Sequence, residues 1–207
     1  MQMTSGDSLV AEQLSFQIAD GGSIPTSPLQ LLVKITTKET AGIAYKRWHY
    51  LGDKGFLATY NFGVYFNNEL VGAISYGIPN APSIEGIYNN QTQKHFMELT
   101  RLALSEVCPK NSESRVIAVS IRILKKASPS LKGIITYADT AQGHTGIIYK
   151  ASNFKYLGLT AQKTDLFVDG KPVGKLKGVK YSEIKGEWVK RSRKHLFLKA
   201  FTDCGIL

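Results

Sequence analysis

Four side chains able to act as acids, bases or hydrogen-bond donors lie at the ends of predicted elements. His49 and Tyr50 end a helical pattern, Asp139 ends a short apolar run, and Tyr149 lies on the short helical pattern that follows. In open sheets with helices on their faces, ligand sites gather at the carboxyl ends of strands. An imidazole, a carboxylate and a phenol at such an edge can take a proton from an amine and give one to a leaving group. The sequence therefore predicts an acid-base site here.

Each of these residues also has a structural interpretation. A histidine such as His49 near a helix C-terminus is often a surface residue that favours the negative end of the helix dipole. Asp139 would equally cap the turn before Gly143, and Tyr149 would equally be a half-buried core tyrosine. His144, in the same turn, is interpreted as a turn or cap residue.

Arg101 is the remaining candidate for the site, because it lies among apolar residues on a predicted strand. A buried arginine needs an anionic partner. Glu98 on the same strand is one such partner. Otherwise Arg101 faces the cleft and holds a carboxylate or phosphate of a substrate.

The formal net charge of +10 is concentrated near the C-terminal end of the sequence. Between Lys171 and Leu207 there are ten basic and three acidic residues. Such a block favours a polyanionic partner, because each neutralised phosphate releases condensed counterions. A solvated basic face that only aids solubility is the alternative.

Length and cysteine content exclude several classes of protein. A chain of 207 residues with 43% hydrophobic content can bury one core, and we expect one domain over 28–207 after a polar segment at 1–27. Cys108 and Cys204 have no CxxC partner, so neither a disulfide framework nor a four-sulfur zinc site is expected. No signal segment and no apolar run of about 18 to 20 residues is present, so we expect a cytoplasmic protein that does not contact membranes.

Hydrophobic periodicity predicts an α/β (α+β) fold, with a central mixed β-sheet flanked by helices and a C-terminal β extension. The basic part of the domain is 171–207. Asn67-Asn68 and Asp169-Gly170 indicate hairpin turns. The predicted helices are TKETAGIAYKRWHYLG, NSESRVIAVSIRILKKASP and HTGIIYKASN. The predicted strands include LQLLVKIT, HFMELTRLALSEV, LKGIITYAD and a single last strand in EWVKRSRKHLFLKAF.

This order of elements resembles the acyltransferase fold of the GNAT superfamily. A closer resemblance is to the phage Mom family of DNA modification proteins, and it extends over roughly residues 30 to 200. The segments that carry it are KRWHYLG at 46–52, ELTRL at 98–102, NSESR at 111–115, YAD with GHTGIIYKASNF at 137–154, and RKHLFL at 193–198.

The resemblance implies transfer of a carbamoylmethyl (glycinamide-like) group to adenine N6 in double-stranded phage DNA, which would shield that DNA from restriction. It implies that His49 and Tyr50 lie at the active site and that Tyr149 is the tyrosine that often protonates the leaving thiolate in GNAT-like enzymes. Together with Arg101 and Asp139 these are the predicted catalytic residues. The mixed donor set of His49, Asp139 and Tyr149 suits a transition metal such as iron, and the resemblance suggests iron as well. The spacing of the three residues is not itself a metal motif.

The group donor is not readable from the sequence. GNAT enzymes hold acetyl-CoA with a Gly-rich loop at a helix start, where backbone amides approach a pyrophosphate. The corresponding loop here, CPKNSESR, has no glycine, and Glu113 would repel phosphates. An anion can still dock through Lys110, Ser112 and Ser114, but a conventional acetyl-CoA cradle is not expected.

An adenine amine is paired inside a duplex, so the base must be extruded and stacked on an aromatic or apolar surface. Trp48 or Tyr65 is expected to provide that surface, and Tyr60 and Tyr76 also flank the cleft in sequence. The DNA backbone is expected to follow Arg191, Arg193, Lys194 and His195.

Two other functions stay open at this point. One is a GNAT-type N-acetyltransferase that uses acetyl-CoA on a small amine or a protein; the other is an inactive DNA-binding module. An adenine methyltransferase lacks its Asp-Pro-Pro-Tyr type motif here, and a zinc deaminase lacks its paired cysteines. A homodimer is compatible with all of these functions.

Overall fold

The computed structural model describes residues 24–79, 93–173 and 184–201. Within these ranges three α-helices flank the strands: Lys38–Trp48 (α1), Ser112–Ala127 (α2) and Ile147–Ala151 (α3). The strands are Leu32–Ile35 (β1), Tyr60–Phe66 (β2), Glu69–Gly77 (β3), Phe96–Leu104 (β4), Gly133–Asp139 (β5), Lys155–Leu159 (β6), Thr164–Val168 (β7), Lys171–Pro172 (β8), Glu187–Lys190 (β9) and Lys194–Ala200 (β10).

Seven strands form one mixed sheet in the order β1-β2-β3-β4-β5-β10-β6. The pair β4 and β5 is parallel, and the other neighbours are antiparallel. Asn67 and Asn68 form the turn between β2 and β3 with φ of 47° and 65°, as a two-residue hairpin of type I′ requires. The predicted fold class is confirmed.

The two faces of the sheet carry different helices. Thr37 caps α1 through its Oγ1, which accepts a hydrogen bond from the Thr40 amide at 3.2 Å. Ala44 and Tyr45 of α1 pack with Ala73 on one face. On the other face α2 and α3 pack in the larger core, whose members include Val116, Ile117, Leu124, Ile134, Tyr149 and Phe197.

The prediction of one last strand is wrong, because the segment forms two strands in two different sheets. β9 joins β7 and β8 in a small three-stranded sheet, and β10 joins the main sheet. Residues 191–193 cross between them, and the Arg191 amide donates to the Lys163 carbonyl at 2.8 Å. We call 160–163 and 191–193 together the neck, because these two segments connect the small sheet to the main one.

Several predictions lie outside the described residues. They are Cys204, residues 1–23 of the polar segment and residues 174–183 of the basic C-terminal part. None of the helices that the structure describes is long and apolar enough to cross a membrane.

Candidate active site

A gap opens in the main sheet where β4 and β5 separate. The two strands pair from Phe96 with Gly133 to Leu99 with Thr136. Beyond this point β4 continues beside β3, and β5 continues beside β10. The register of β4 on β3 shifts around Thr100, and such a bulge bends a strand and increases its twist. The bulge therefore turns β4 away from β5 and opens the sheet.

A cleft of about 660 Å³ occupies this gap. Its floor comes from β4 and β5, and its walls come from the end of α1 and from the turn before α3. Every residue that the sequence predicted for catalysis lines it, namely His49, Tyr50, Arg101, Asp139 and Tyr149.

A buried polar chain fixes α1 above the sheet. Tyr45, fully buried, donates its hydroxyl proton to Ser75 Oγ at 2.6 Å, and Ser75 donates to Asn61 Oδ1 at 2.7 Å. A buried hydroxyl with a partner holds its element in one position, because losing the partner would leave a desolvated polar group. The end of α1, with His49 one turn after Tyr45, is thereby held at the cleft.

The two aromatic rings after α1 form one wall of the cleft. The His49 and Tyr50 rings stack at a centroid distance of 4.6 Å. Burial, followed by the charges of Arg101 and His144, lowers the pKa of His49 to about 4, so the ring is neutral at pH 7. Its Nδ1 accepts the Leu51 amide proton at 3.1 Å. The neutral ring therefore carries its proton on Nε2 and acts as a hydrogen-bond donor there.

Asp139 combines the structural and the functional interpretations. Its carboxylate caps the turn by accepting the Ala141 amide proton at 3.0 Å. Burial alone would raise its pKa, but hydrogen bonds from Ser192 and Ala141, with the charges of Lys194 and His144, outweigh burial and lower it. Asp139 is therefore ionised at pH 7 and can accept further hydrogen bonds in the cleft.

Tyr149 is placed by α3, which begins at Gly146 with φ of 73°. A side chain at Gly146 would collide with the Phe197 ring, so only glycine allows this approach of α3 to β10. Tyr149 is 9% exposed and belongs to the core. Burial raises its pKa, and the hydrogen bond with Thr136 opposes this only in part, so the phenol keeps its proton.

The Arg101 guanidinium is bound by backbone carbonyls and not by Glu98. Its Nη1 donates to the Gly52 carbonyl at 2.5 Å, and both Nη atoms lie 3.3 Å from the Lys54 carbonyl. Burial lowers its pKa, and its Nε has no partner among the described residues. Arg101 therefore fastens the loop after α1 to the sheet, and its edge still lines the cleft.

Three cleft residues were missed or given other roles by the sequence analysis. Glu98 lies in the lining, and burial raises its pKa against the charge of Lys194. Lys194 lines the cleft as well, beside Asp139 in the sheet register. His144 is exposed, and its ring lies 5.6 Å from the Tyr50 ring. No spacing signal marks these residues; only the pairing of β4, β5 and β10 brings them together.

The residues predicted to contact DNA do not lie on one surface. Trp48 lines the cleft, whereas Tyr76 is fully buried and Tyr65 lies on β2 within 3.5 Å of the Thr36 hydroxyl, outside the lining. Arg191 forms a two-point ion pair with Asp165. The remaining members of the predicted backbone track divide: Arg193 donates to the Thr160 carbonyl at 2.7 Å, Lys194 lines the cleft, and His195 Nδ1 lies 2.9 Å from the Tyr156 hydroxyl.

The predicted anion site at the start of α2 lacks one of its groups. Ser112 is 1% exposed, and its hydroxyl donates to the Pro109 carbonyl at 2.6 Å. Asn111 precedes the helix with φ of 72° and makes no side-chain cap. Lys110 is exposed and Ser114 half-buried, so they are the two predicted groups left for an anion.

The residues do not fit a metal ion in this arrangement. The lone pair of His49 Nδ1 is used by the Leu51 amide, its Nε2 carries a proton, and the raised pKa of Tyr149 opposes a tyrosinate. Within 24–79, 93–173 and 184–201, no three His, Cys, Asp or Glu side chains stand together as metal ligands. Iron stays a prediction, and the chemistry below uses no metal.

The mixed sheet that parts between β4 and β5, with helices on both faces, has the same fold as GNAT acetyltransferases. Two solved structures of the acetyltransferase AAC(6')-Ib share it. The complex with paromomycin and acetyl-CoA has a TM-score of 0.51 and covers 83% of this chain and 94% of that chain at 10% identity. The complex with coenzyme A and kanamycin has a TM-score of 0.50, with 83% and 95% covered at 10% identity. At this identity the likeness shows the fold alone.

The family assignment comes from sequence. The model of the Mom protein family matches residues 30–200, and this chain belongs to that family. Over 99 residues, which are 47% of this chain, it is 32% identical to the methylcarbamoylase mom of Escherichia phage Mu. The matched part spans 41% of that relative's length.

Proposed function

We propose that this protein transfers a carbamoylmethyl group to N6 of adenine in duplex DNA, and so shields phage DNA from host restriction. Its family membership and the name of its phage Mu relative support this reaction. The observation that carries the proposal is the convergence of His49, Tyr50, Asp139 and Tyr149 on one cleft at the parting of two strands.

The acceptor is a weak nucleophile, because the lone pair of the adenine amine is delocalised into the ring. A carboxylate that accepts one N6 proton keeps the amine oriented and takes the proton as the new bond forms. Asp139 is ionised and lies at the cleft, so we assign it this role. His49 is the weaker choice of base, because its Nδ1 is occupied and its Nε2 carries a proton.

The donor belongs to the class of carbamoylmethyl compounds that bear a leaving group. The bond from N6 to the methylene carbon forms, and the bond from that carbon to the leaving group breaks. The N6 proton passes to the Asp139 carboxylate, and the Tyr149 phenol gives its proton to the departing group. A neutral His49 Nε2 and the Tyr50 hydroxyl can donate hydrogen bonds to the donor's amide oxygen.

The acetyltransferase alternative receives less support. The helix start that would hold a pyrophosphate has no glycine, carries Glu113 in its first turn, and has the Ser112 hydroxyl turned to Pro109. A GNAT fold does not fix the donor, since one fold hosts many reactions.

Nucleoside analysis tests the proposed function. The protein is expressed in bacteria, total DNA is digested to nucleosides, and the digest is examined by mass spectrometry. We expect an adenine nucleoside heavier by one carbamoylmethyl group, absent from cells that produce the Asp139→Asn variant at equal level.

An unchanged nucleoside profile with folded wild-type protein present would overturn the proposal. An acetylated amine, together with tight binding of acetyl-CoA by the purified protein, would establish the alternative.

A further inference from the structure

A second recess adjoins the cleft on the outer side of the His49 and Tyr50 rings. It has a volume of about 630 Å³ and lies between the end of α1 and the loop that follows β4. Its lining consists of Arg47, Trp48, His49, Tyr50, Leu104, Ser105, Glu106 and Val107. The sequence predicted Trp48 as a stacking surface, but it did not predict the cavity beside it.

The recess and the cleft share one wall. Trp48, His49, Tyr50 and Leu104 line both cavities. A transfer reaction needs two substrates whose reacting atoms meet at a distance of about 3 to 3.5 Å. Because the two cavities share these lining side chains, their occupants would lie next to each other.

The two cavities differ in depth. Buried residues of the sheet, including Leu99, Ala103 and Ala138, form the floor of the cleft. The recess is lined by exposed side chains, since Tyr50 is 51% and Val107 45% exposed, and Arg47 and Glu106 are exposed too. A base attached to a duplex must be reached from the surface, because the rest of the duplex stays outside the protein. The recess suits that substrate, and the deeper cleft suits the smaller donor.

The chemistry of the recess favours a neutral base over a phosphate. Trp48, Leu104 and Val107 offer aromatic and apolar surface for stacking, and base–aromatic stacking is a main source of affinity for an unstacked base. Glu106 would repel a phosphate but can accept a hydrogen bond from an amino group. Arg47, whose guanidinium carbon lies 5.9 Å from the Trp48 ring centre, supplies a donor at the rim.

We propose that this recess receives the extruded adenine, with Trp48 as its stacking surface and N6 directed past His49 and Tyr50 into the cleft, where the carbamoylmethyl donor and the Asp139 carboxylate lie. The proposal rests on the proposed function, since it assigns the two substrates of that reaction to two cavities.

Photochemical cross-linking tests the placement without any donor. The purified full chain is bound to duplex DNA that carries 8-azidoadenine in place of adenine, irradiated and digested, and the linked peptides are identified by mass spectrometry. We expect links to 47–50 and 104–107. Links confined to 143–149 or to the small sheet, or no links from a bound duplex, would overturn the proposal.

A pair of variants tests the same placement in the cell. Val107→Arg should fill the recess without adding negative charge, and Ile43→Arg is its control, since Ile43 on α1 is 49% exposed and lies outside both cavities. We expect Val107→Arg to lower adenine modification about tenfold or more, the scale of one lost stacking contact, with duplex affinity unreduced. Ile43→Arg should modify adenine normally.

The two proposals fail in different ways. If the wild type leaves adenine unmodified, the proposed function fails, and the cross-linking still decides where an adenine lies. If the wild type modifies adenine and Val107→Arg does so equally well, the assignment of the recess fails and the function stands.

Discussion

His49 has two ring nitrogens in different surroundings, and this difference limits its role. Nδ1 accepts a backbone proton at 3.1 Å, and the lowered pKa keeps the ring neutral. The residue is therefore expected to orient a substrate by donating from Nε2, while the ionised Asp139 takes the proton. The sequence placed both residues at the site but left the choice of base open, because ring tautomers follow from local hydrogen bonds.

The pKa of His49 predicts how stability depends on pH. The folded pKa of about 4 lies below the ordinary 6.5, so the unfolded chain binds more protons between these values. The free energy of unfolding should therefore fall as pH falls through 6.5 towards 4. Thermal unfolding from pH 7 to pH 5 should show a steeper loss of Tm in the wild type than in His49→Gln. Parallel curves for the two proteins would contradict the prediction.

Tyr149→Phe should separate proton donation from packing. The ring stays in the core, so we expect a stability loss of no more than about 1 kcal/mol. Adenine modification should fall by about 10²- to 10⁴-fold, the usual contribution of a positioned acid. Tyr156→Phe is the matched control, because Tyr156 is 43% exposed and its hydroxyl contacts His195 outside the cleft lining. Equal activity of both variants would remove Tyr149 from the mechanism.

The sequence predicted His49, Tyr50 and Asp139 because they end elements, Arg101 because it interrupts an apolar strand, and Tyr149 through the family resemblance. It could not predict that Glu98 and His144 join them. Glu98 looks like any polar residue on an alternating strand, and His144 like any turn residue. Their place in the cleft depends on where β4 leaves β5 and on the ring contact with Tyr50, and these are tertiary facts.

At the scale of elements, the loop after α1 depends on one buried guanidinium. Arg101 donates to the carbonyls of Gly52 and Lys54, and a lysine ammonium lacks the planar fork that reaches both. We expect Arg101→Lys to lower the free energy of unfolding by about 1 to 3 kcal/mol and to expose the loop to trypsin after Lys54. Urea unfolding and timed digestion measure the two effects.

Arg115→Lys serves as the control for this change, because Arg115 is also desolvated but lies on α2. Cleavage after Lys54 at the wild-type rate in Arg101→Lys would show that the loop is held by other contacts.

The start of α3 gives a second test at this scale. Gly146→Ala combines a left-handed φ of 73° with a collision against Phe197, and we expect a loss of about 2 to 5 kcal/mol from strain and overpacking together. Gly143→Ala has a similar φ of 67° but nothing within 4 Å, so about 1 to 2 kcal/mol is expected. Denaturant unfolding of both variants gives the comparison. Equal losses would mean that α3 can move away from β10 at no cost.

Strong local signals made most elements predictable. Asn67-Asn68 and Asp169-Gly170 have the left-handed conformations that their hairpins need, and Thr37 caps α1 as expected. The prediction of a single last strand was wrong because 187–200 carries strand-forming residues on both sides of a polar stretch. That composition does not indicate that the chain leaves one sheet and enters the other at 191–193. The hydrogen bonds of the neck fix the point of this change.

For the whole molecule, the net charge of +10 predicts that the proposed binding to DNA weakens steeply with salt. The contribution of each arginine to DNA affinity depends on whether its charge is already paired within the protein. The carbonyls bound by Arg193 are neutral, so it keeps its full charge, whereas Asp165 neutralises Arg191. Arg193→Gln should lower the slope of log K against log salt by about 1, and Arg191→Gln should change it less. Fluorescence anisotropy with a duplex at several salt concentrations measures the slopes, and a larger change for Arg191→Gln would exclude this account.

The distribution of charge indicated either a polyanionic partner or a solvated basic face, and it could not show which charges are paired. Arg191 and Asp165 are 26 positions apart and meet only because β7 pairs with β9. Lys194, counted with the DNA-contacting cluster, lies instead in the cleft lining next to Asp139. A linear count of charges therefore overstates the surface that faces a duplex.

The neck is hydrogen-bonded to the turn that carries Asp139. Thr140 directly follows Asp139, and both its amide and its hydroxyl donate to the Arg193 carbonyl, at 3.3 Å and 2.8 Å. A displacement of the small sheet would therefore reach the peptide next to Asp139 through Arg193 and these two hydrogen bonds. If the small sheet contacts the DNA of the proposed reaction, a displacement of that sheet would move the peptide next to Asp139, and the rate of modification would then depend on how the duplex is bound as well as on what fills the cavities.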